Sequence, residues 1–231
     1  MALTKTMMDN LQLLLEKVER IDYGENPQRI FHGIASKLFE NWVIMRDNVM
    51  FRFLEMEFYY FSPHHPDYKH DHKTGARHPF VYNRNSKAGD LFLHNSGLDL
   101  CFQSHMSNNG LSMISGGGIL LRTLLRITPE KKNTMAVMGP IDCRNALINY
   151  LNPHSLPTLV ERVKPFDDIL LRDARRMKGK AVIDLDKNYC FYDASKYDTA
   201  ADTWLFQRYD PITCLPSPRL YSPCLNERSI Q

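Results

Sequence analysis

Leu54-Glu-Met-Glu-Phe-Tyr-Tyr-Phe61 (LEMEFYYF) is the stretch on which the reading of this chain turns. Its aromatic content predicts a β-strand, in which side chains alternate faces and each residue advances about 3.3 Å. Alternation puts Leu54, Met56, Phe58 and Tyr60 on one face, suited to a core. It puts Phe51, Phe53, Glu55, Glu57, Tyr59 and Phe61 on the other. A buried carboxylate without a partner is costly, so the second face is expected to line a cleft or meet a cation. The plainer alternative is an exposed strand face with solvated glutamates.

Upstream, Met7, Leu11, Leu14, Leu15 and Val18 recur at helical spacing. The Asp22–Pro27 segment breaks that helix and opens another. Asn26 is placed as N-cap with Pro27 in the first turn, and Ile30, Phe31, Ile34, Leu38 and Phe39 form the apolar stripe. Strand signals run from about 41 to 61, and residues 62–89 read as a long polar loop of the kind that carries function. Strands are expected at about 90–94, 98–103 and 118–126, and a helix at 139–151. The tail is read as a basic helix over 165–178 with strand-like runs at 180–185 and 189–192. No repeat or linker divides the chain. The fold class is therefore α+β: a single domain, 1–231, with a curved antiparallel sheet flanked by helices.

Composition bounds the function. The chain has 231 residues, 43% hydrophobic and 24% charged, with a formal net charge of +3. That balance permits a nucleic-acid partner without requiring one. The five cysteines (Cys101, Cys143, Cys190, Cys214 and Cys224) show no C-x-x-C spacing and read as reduced thiols. The first 20 residues are too charged for a signal peptide, and no apolar run is long enough to span a membrane. A cytoplasmic monomer is expected. The loop Ser62–His78 contains His64, His65, His70, His72 and His78, with His94 just beyond. His70-Asp71-His72 would suit a metal, and a metal-dependent hydrolase is the weakest of the functional readings, because no spaced ligand motif fixes a geometry.

The order of motifs points elsewhere. E-M-E-F-Y at 55–59, H-K-T-G-A-R at 72–77, K-A-G-D-L-F-L-H at 87–94 and G-G-I-L-L-R at 117–122 follow one another. They resemble E-x-E-A-Y, H-S-R-G-G-R, K-P-G-x-L-Y-V-Y and V-L-L-R-A-L of the alkyladenine-type 3-methyladenine DNA glycosylases. The likeness covers about 35–151 and leaves 155–231 unassigned. It implies removal of alkylated or deaminated purines from DNA by base flipping, without cofactor or metal. By the same resemblance Glu57 is the general base that activates water. Tyr59 stacks on the flipped base, His72 and His94 line its pocket, and Arg122 lies near base and water. A carboxylate and a ring two residues apart on one strand, about 6.6 Å, suit a stacked base beside an oxocarbenium-like centre.

The departures from the family are specific. His94 stands where it has a second pocket tyrosine. Asn95-Ser96-Gly97 replaces the hairpin tip whose tyrosine fills the emptied stack, with one residue fewer. Asn95 and Ser96 are still expected to touch DNA, but flipping costs least at unpaired or mispaired positions. Single-stranded or mispaired DNA is therefore the expected substrate. Arg172, Arg175, Arg176, Lys178 and Lys180 form a basic run, with Lys131 and Lys132 elsewhere. Arg175 and Arg176 are candidate phosphate contacts, and the alternative for the run is a solvated face. The competing reading of the whole chain is an inactive relative that binds a nucleobase or nucleic acid.

Overall fold

The computed structural model describes residues 5–66, 68–70, 77–79, 81–129, 134–148, 156–174, 182–183, 189–198, 200, 203–209 and 216–217. Helix α1 (Lys5–Leu15) runs into a 3-10 turn, Glu16–Tyr23, which stops at Gly24 with φ +88°. Helix α2 (Pro27–Asn41) starts as the sequence indicates, with the Asn26 side chain accepting from the Arg29 amide at 3.1 Å. Its buried stripe is Ile30, Phe31, Ile34, Ala35, Leu38 and Phe39.

Strands follow as β1 (Trp42–Arg46), β2 (Val49–Phe61), β3 (Tyr68–His70), β4 (Arg77–Pro79), β5 (Leu91–His94), β6 (Gly97–Cys101), β7 (His105–Met106), β8 (Met113–Ile127) and β9 (Met135–Met138). Helix α3 (Pro140–Leu147) is shorter than the expected 139–151. The remaining strands are β10 (Thr158–Glu161), β11 (Leu171–Ala174), β12 (Val182–Ile183), β13 (Cys190–Asp193), β14 (Tyr197–Asp198), β15 (Thr203–Trp204), β16 (Arg208–Tyr209) and β17 (Pro216–Ser217). The architecture is α+β, with a curved, largely antiparallel sheet and few helices. No described helix is long and apolar enough to cross a membrane.

Two long strands, β2 and β8, form the spine. β2 pairs with β1 near its start and with β13 further on, while β8 pairs with β6 and then with β9. The sheet thus has two wings that share one ribbon. Between them the register slips twice: Phe53 faces Leu124, Glu55 faces Thr123 and Met56 faces Leu121. Leu54 and Arg122 are each left without a cross-strand partner in a pair of compensating bulges.

The bulges correct the simple alternation. Phe51 and Phe53 lie in the same core as Met56, Phe58 and Tyr60, under the helices. Leu54 packs on the opposite side with Leu125, Cys190, Tyr192 and Trp204. One inserted residue switches which side of the sheet a strand's odd positions face. Glu55, Glu57 and Tyr59 do share a face, as alternation demands beyond the bulge. That face is covered by the C-terminal strands and by the segment around Arg84.

The basic helix over 165–178 is also corrected. Leu171–Ala174, which carries Arg172, is a strand paired with β13. Residues 175–178 lie outside the described set. Arg52 fastens this region to the spine: its Nη2 donates to Asp193 at 2.8 Å, meets Asp168 at 3.0 Å, and its guanidinium sits 4.1 Å from the Phe166 ring centre.

The main core closes around Phe31, which is fully buried, with ring centres 4.6 Å from Tyr189 and 5.2 Å from Phe58. Phe31→Ala should lower unfolding free energy by about 3–5 kcal/mol in urea titrations. A loss under 1 kcal/mol would show that helix α2 does not anchor the sheet.

Asp168 supplies a pH test. Burial alone would raise its carboxyl, but hydrogen bonds from Lys196 and Arg52 outweigh that and hold it at about 2. A carboxylate depressed in the folded state stabilises above its ordinary pKa and loses that contribution as pH falls through the folded value. Asp168→Asn should flatten the fall in stability between about pH 4 and pH 2. An unchanged acid profile would remove this contact from the account.

Candidate active site

At the bulge, Arg122 reaches across to both carboxylates. Its Nη1 donates to Glu57 Oε2 at 2.8 Å and its Nε to Glu55 Oε1 at 3.3 Å. Thr123 Oγ1 donates to the other Glu55 oxygen at 2.8 Å. Glu55 is 0% exposed and Glu57 2%. This settles how an apolar strand carries two acids: one guanidinium faces both. Arg122 is placed to do this because the bulge takes it out of the β2/β8 ladder.

Cross-strand pairing extends the row beyond Glu57, through Leu120 on β8 and Asp99 on β6 to Phe92 on β5. Asp99 is a further buried acid, in this row. Arg84 Nη1 donates to its Oδ2 at 2.8 Å, and Arg84 Nη2 donates to the Gly117 carbonyl at 2.8 Å. The Arg84 guanidinium lies over Gly118, where a Cβ would come within 2.5 Å of Nη2. Gly118 is the partner of Tyr59. Arg84 therefore lies over the strand partner of the residue expected to stack on a base. Its Nε is buried with no hydrogen-bond partner.

His94 occupies the far end of this system. Ser96 N–H donates to His94 Nδ1 at 3.2 Å, which leaves the ring proton on Nε2 in the neutral form, facing Asp99 Oδ1 at 3.1 Å. Both ring nitrogens are thus engaged. Asn95 and Ser96 form the exposed two-residue tip of the β5–β6 hairpin. Arg144 of α3 braces the tip from behind, with Nη1 donating to the carbonyls of His94 at 3.1 Å and Asn95 at 3.2 Å.

The structure brings Glu57, Arg122 and Tyr59 onto one face and places His94, Asn95 and Ser96 along the same row of strands. His72, Arg175 and Arg176 lie outside the described residues. So do the side chains of His70 and His78, and no group of metal-ligating side chains occurs among the described residues. Of the cysteines, burial pushes the Cys101 thiol up to about 11 against the pull of Arg84. Burial, and next to it Glu55, holds Cys143 well above the ordinary range. Neither offers a thiolate at neutral pH.

Arg84, Asp99 and Arg144 are absent from the sequence reading. Leu98-Asp99-Leu100 repeats the signal of the glutamate strand, an acid between core residues. Gly116-Gly117-Gly118 inside a strand signals close approach of another group, here Arg84 over Gly118. Nothing local marks Arg84 or Arg144 themselves.

Removing one member of a buried ion pair costs about 3–5 kcal/mol, because the other charge is stranded. Arg84→Met and Asp99→Leu should each destabilise on that scale, and the double variant by clearly less than their sum. Simple additivity in urea titrations would mean that the pair is not coupled. The chain as a whole matches no protein-family description, no curated protein and no solved structure.

Proposed function

We propose that this protein hydrolyses the N-glycosidic bond of damaged purines in DNA, alkylated or deaminated, as a monomer and without a cofactor. The observation that carries the reading is the buried Glu57–Arg122 contact at 2.8 Å, on the strand face that also bears Tyr59. It is supported by the four-motif resemblance, in which these positions are the base, the arginine and the stacking ring.

The chemistry follows from the charges. The C1′–N bond breaks with its electron pair passing to the purine, and positive charge develops on the sugar. The Glu57 carboxylate, held by Arg122 before the reaction, stabilises that charge without reorganising. Water then adds at C1′ and passes its proton to Glu57. Arg122 fixes the Glu57 carboxylate, and Glu55 keeps the guanidinium from drifting. Tyr59 offers a face to the extruded base.

A second reading has its own observation. Arg84 lies over Gly118, the strand partner of Tyr59, and Glu57 is almost wholly enclosed. A relative that binds nucleic acid but no longer cleaves would have this enclosed, ion-paired group. Kinetics separate the two. Glu57→Gln should lower single-turnover base release by roughly 10²–10⁴-fold, with the melting curve still cooperative, and Glu55→Gln should cost less. Wild-type rates in Glu57→Gln, or the larger loss in Glu55→Gln, would overturn the assignment. Base release should also survive a chelator, because every step is assigned to side chains. Loss of activity in chelator, restored by a transition metal, would favour a hydrolase built on His70 and His72.

A further inference from the structure

The hairpin tip lacks the aromatic that would hold nucleic acid beside the site, yet an aromatic stands next to it. Tyr82 is 44% exposed. Its ring centre lies 4.8 Å from His94 and 5.9 Å from Phe92. Phe92 and His94 are themselves stacked, at 5.8 Å and 21°. Arg84 closes the column from the inner side, 4.5 Å from the Phe92 ring centre. His94 cannot rotate freely, because Ser96 and Asp99 hold its two nitrogens. Tyr82 is therefore a ring with one side packed on a fixed aromatic base and the remainder open to solvent.

Charge on the other side of the tip complements it. Arg144 donates to His94 O, Asn95 O and Asn145 Oδ1, all neutral acceptors. Among the described residues no carboxylate pairs with it, so its positive charge is uncompensated at the tip. The Phe92 end of the column is three strand steps from Glu57, about 14 Å, within the span of a few nucleotides.

We infer that Tyr82 and Arg144 hold the single strand next to the excised nucleotide: Tyr82 stacks on a neighbouring base and Arg144 takes a phosphate. The inference rests on the proposed function for the identity of the excised nucleotide, but binding is read separately from base release. It also supplies a reason for the expected single-strand preference. A packed platform accepts a base that is already splayed out, which paired duplex does not offer, whereas a wedge has to project into the stack. Stacking on a ring is tolerant of base identity.

The test is fluorescence anisotropy of the full chain with an undamaged oligothymidylate of about 12 nucleotides, a length within the range of known single-strand sites. Tyr82→Ala should weaken binding roughly 10- to 100-fold, and Tyr82→Phe should restore it. Arg144→Gln should reduce the slope of log affinity against log salt by about 0.7, and Arg144→Lys should keep it. Wild-type affinity in Tyr82→Ala, an unchanged slope in Arg144→Gln, or no single-strand binding by the unmodified protein would each overturn the inference. Release of base from methylated single strands is assayed with the same proteins. Loss of binding in Tyr82→Ala with no base release by the unmodified protein would keep the platform and remove the glycosylase reading. Base release with wild-type binding in Tyr82→Ala would do the reverse.

Discussion

A single guanidinium shared by two buried carboxylates is the constraint around which this sheet is arranged. Glu55 and Glu57 are enclosed where the two wings of the sheet meet, and an isolated ion there would cost several kcal/mol. Arg122 can face both only because the β2/β8 ladder slips once on each strand. The slip also keeps Phe51 and Phe53 in the same core as Met56, Phe58 and Tyr60. Charge satisfaction and core continuity are thus met by the same local distortion.

The rest of the site repeats the device with different residues. Arg84 and Asp99 form another buried pair, set over a glycine that leaves room for a guanidinium. His94 joins that pair to the hairpin tip, and Arg144 joins the tip to helix α3. Fixed polar contacts therefore run from Asp99 to the surface, in the row of strands that begins at Glu57. Such contacts hold their side chains rigid, which the proposed chemistry requires if developing charge is to be stabilised without reorganising. They also hold the neighbouring surface, with Tyr82 on it, in a set orientation.

Much of this was legible in the residues. Asn26-Pro27 marks its helix start because the cap and the missing amide act locally. Acids among aromatics at 54–61 signal a face that must meet a cation, because burial of an unpaired charge is too costly, and Arg122 is that cation. The bulge was not legible, since a one-residue slip belongs to the pair of strands rather than to either sequence. Residues 171–174 misled for a related reason: they sit in a stretch whose charges fit a helix, and pairing with β13 overrode that local pattern. Arg84 is a loop residue with no periodicity, and only the glycines opposite it announce that something large lies against them.

The most direct test of the central claim is chemical. DNA methylated on its purines, single-stranded, is incubated with the unmodified protein at fixed salt, and the free base is separated and identified. The account predicts methylated purine released well above a protein-free control, with the strand left unbroken until the abasic site is treated with alkali. Tight binding of the same DNA with no free base would contradict it, and would leave the buried Glu55–Arg122–Glu57 unit as a structural ion cluster in a protein that reads nucleobases without cleaving them.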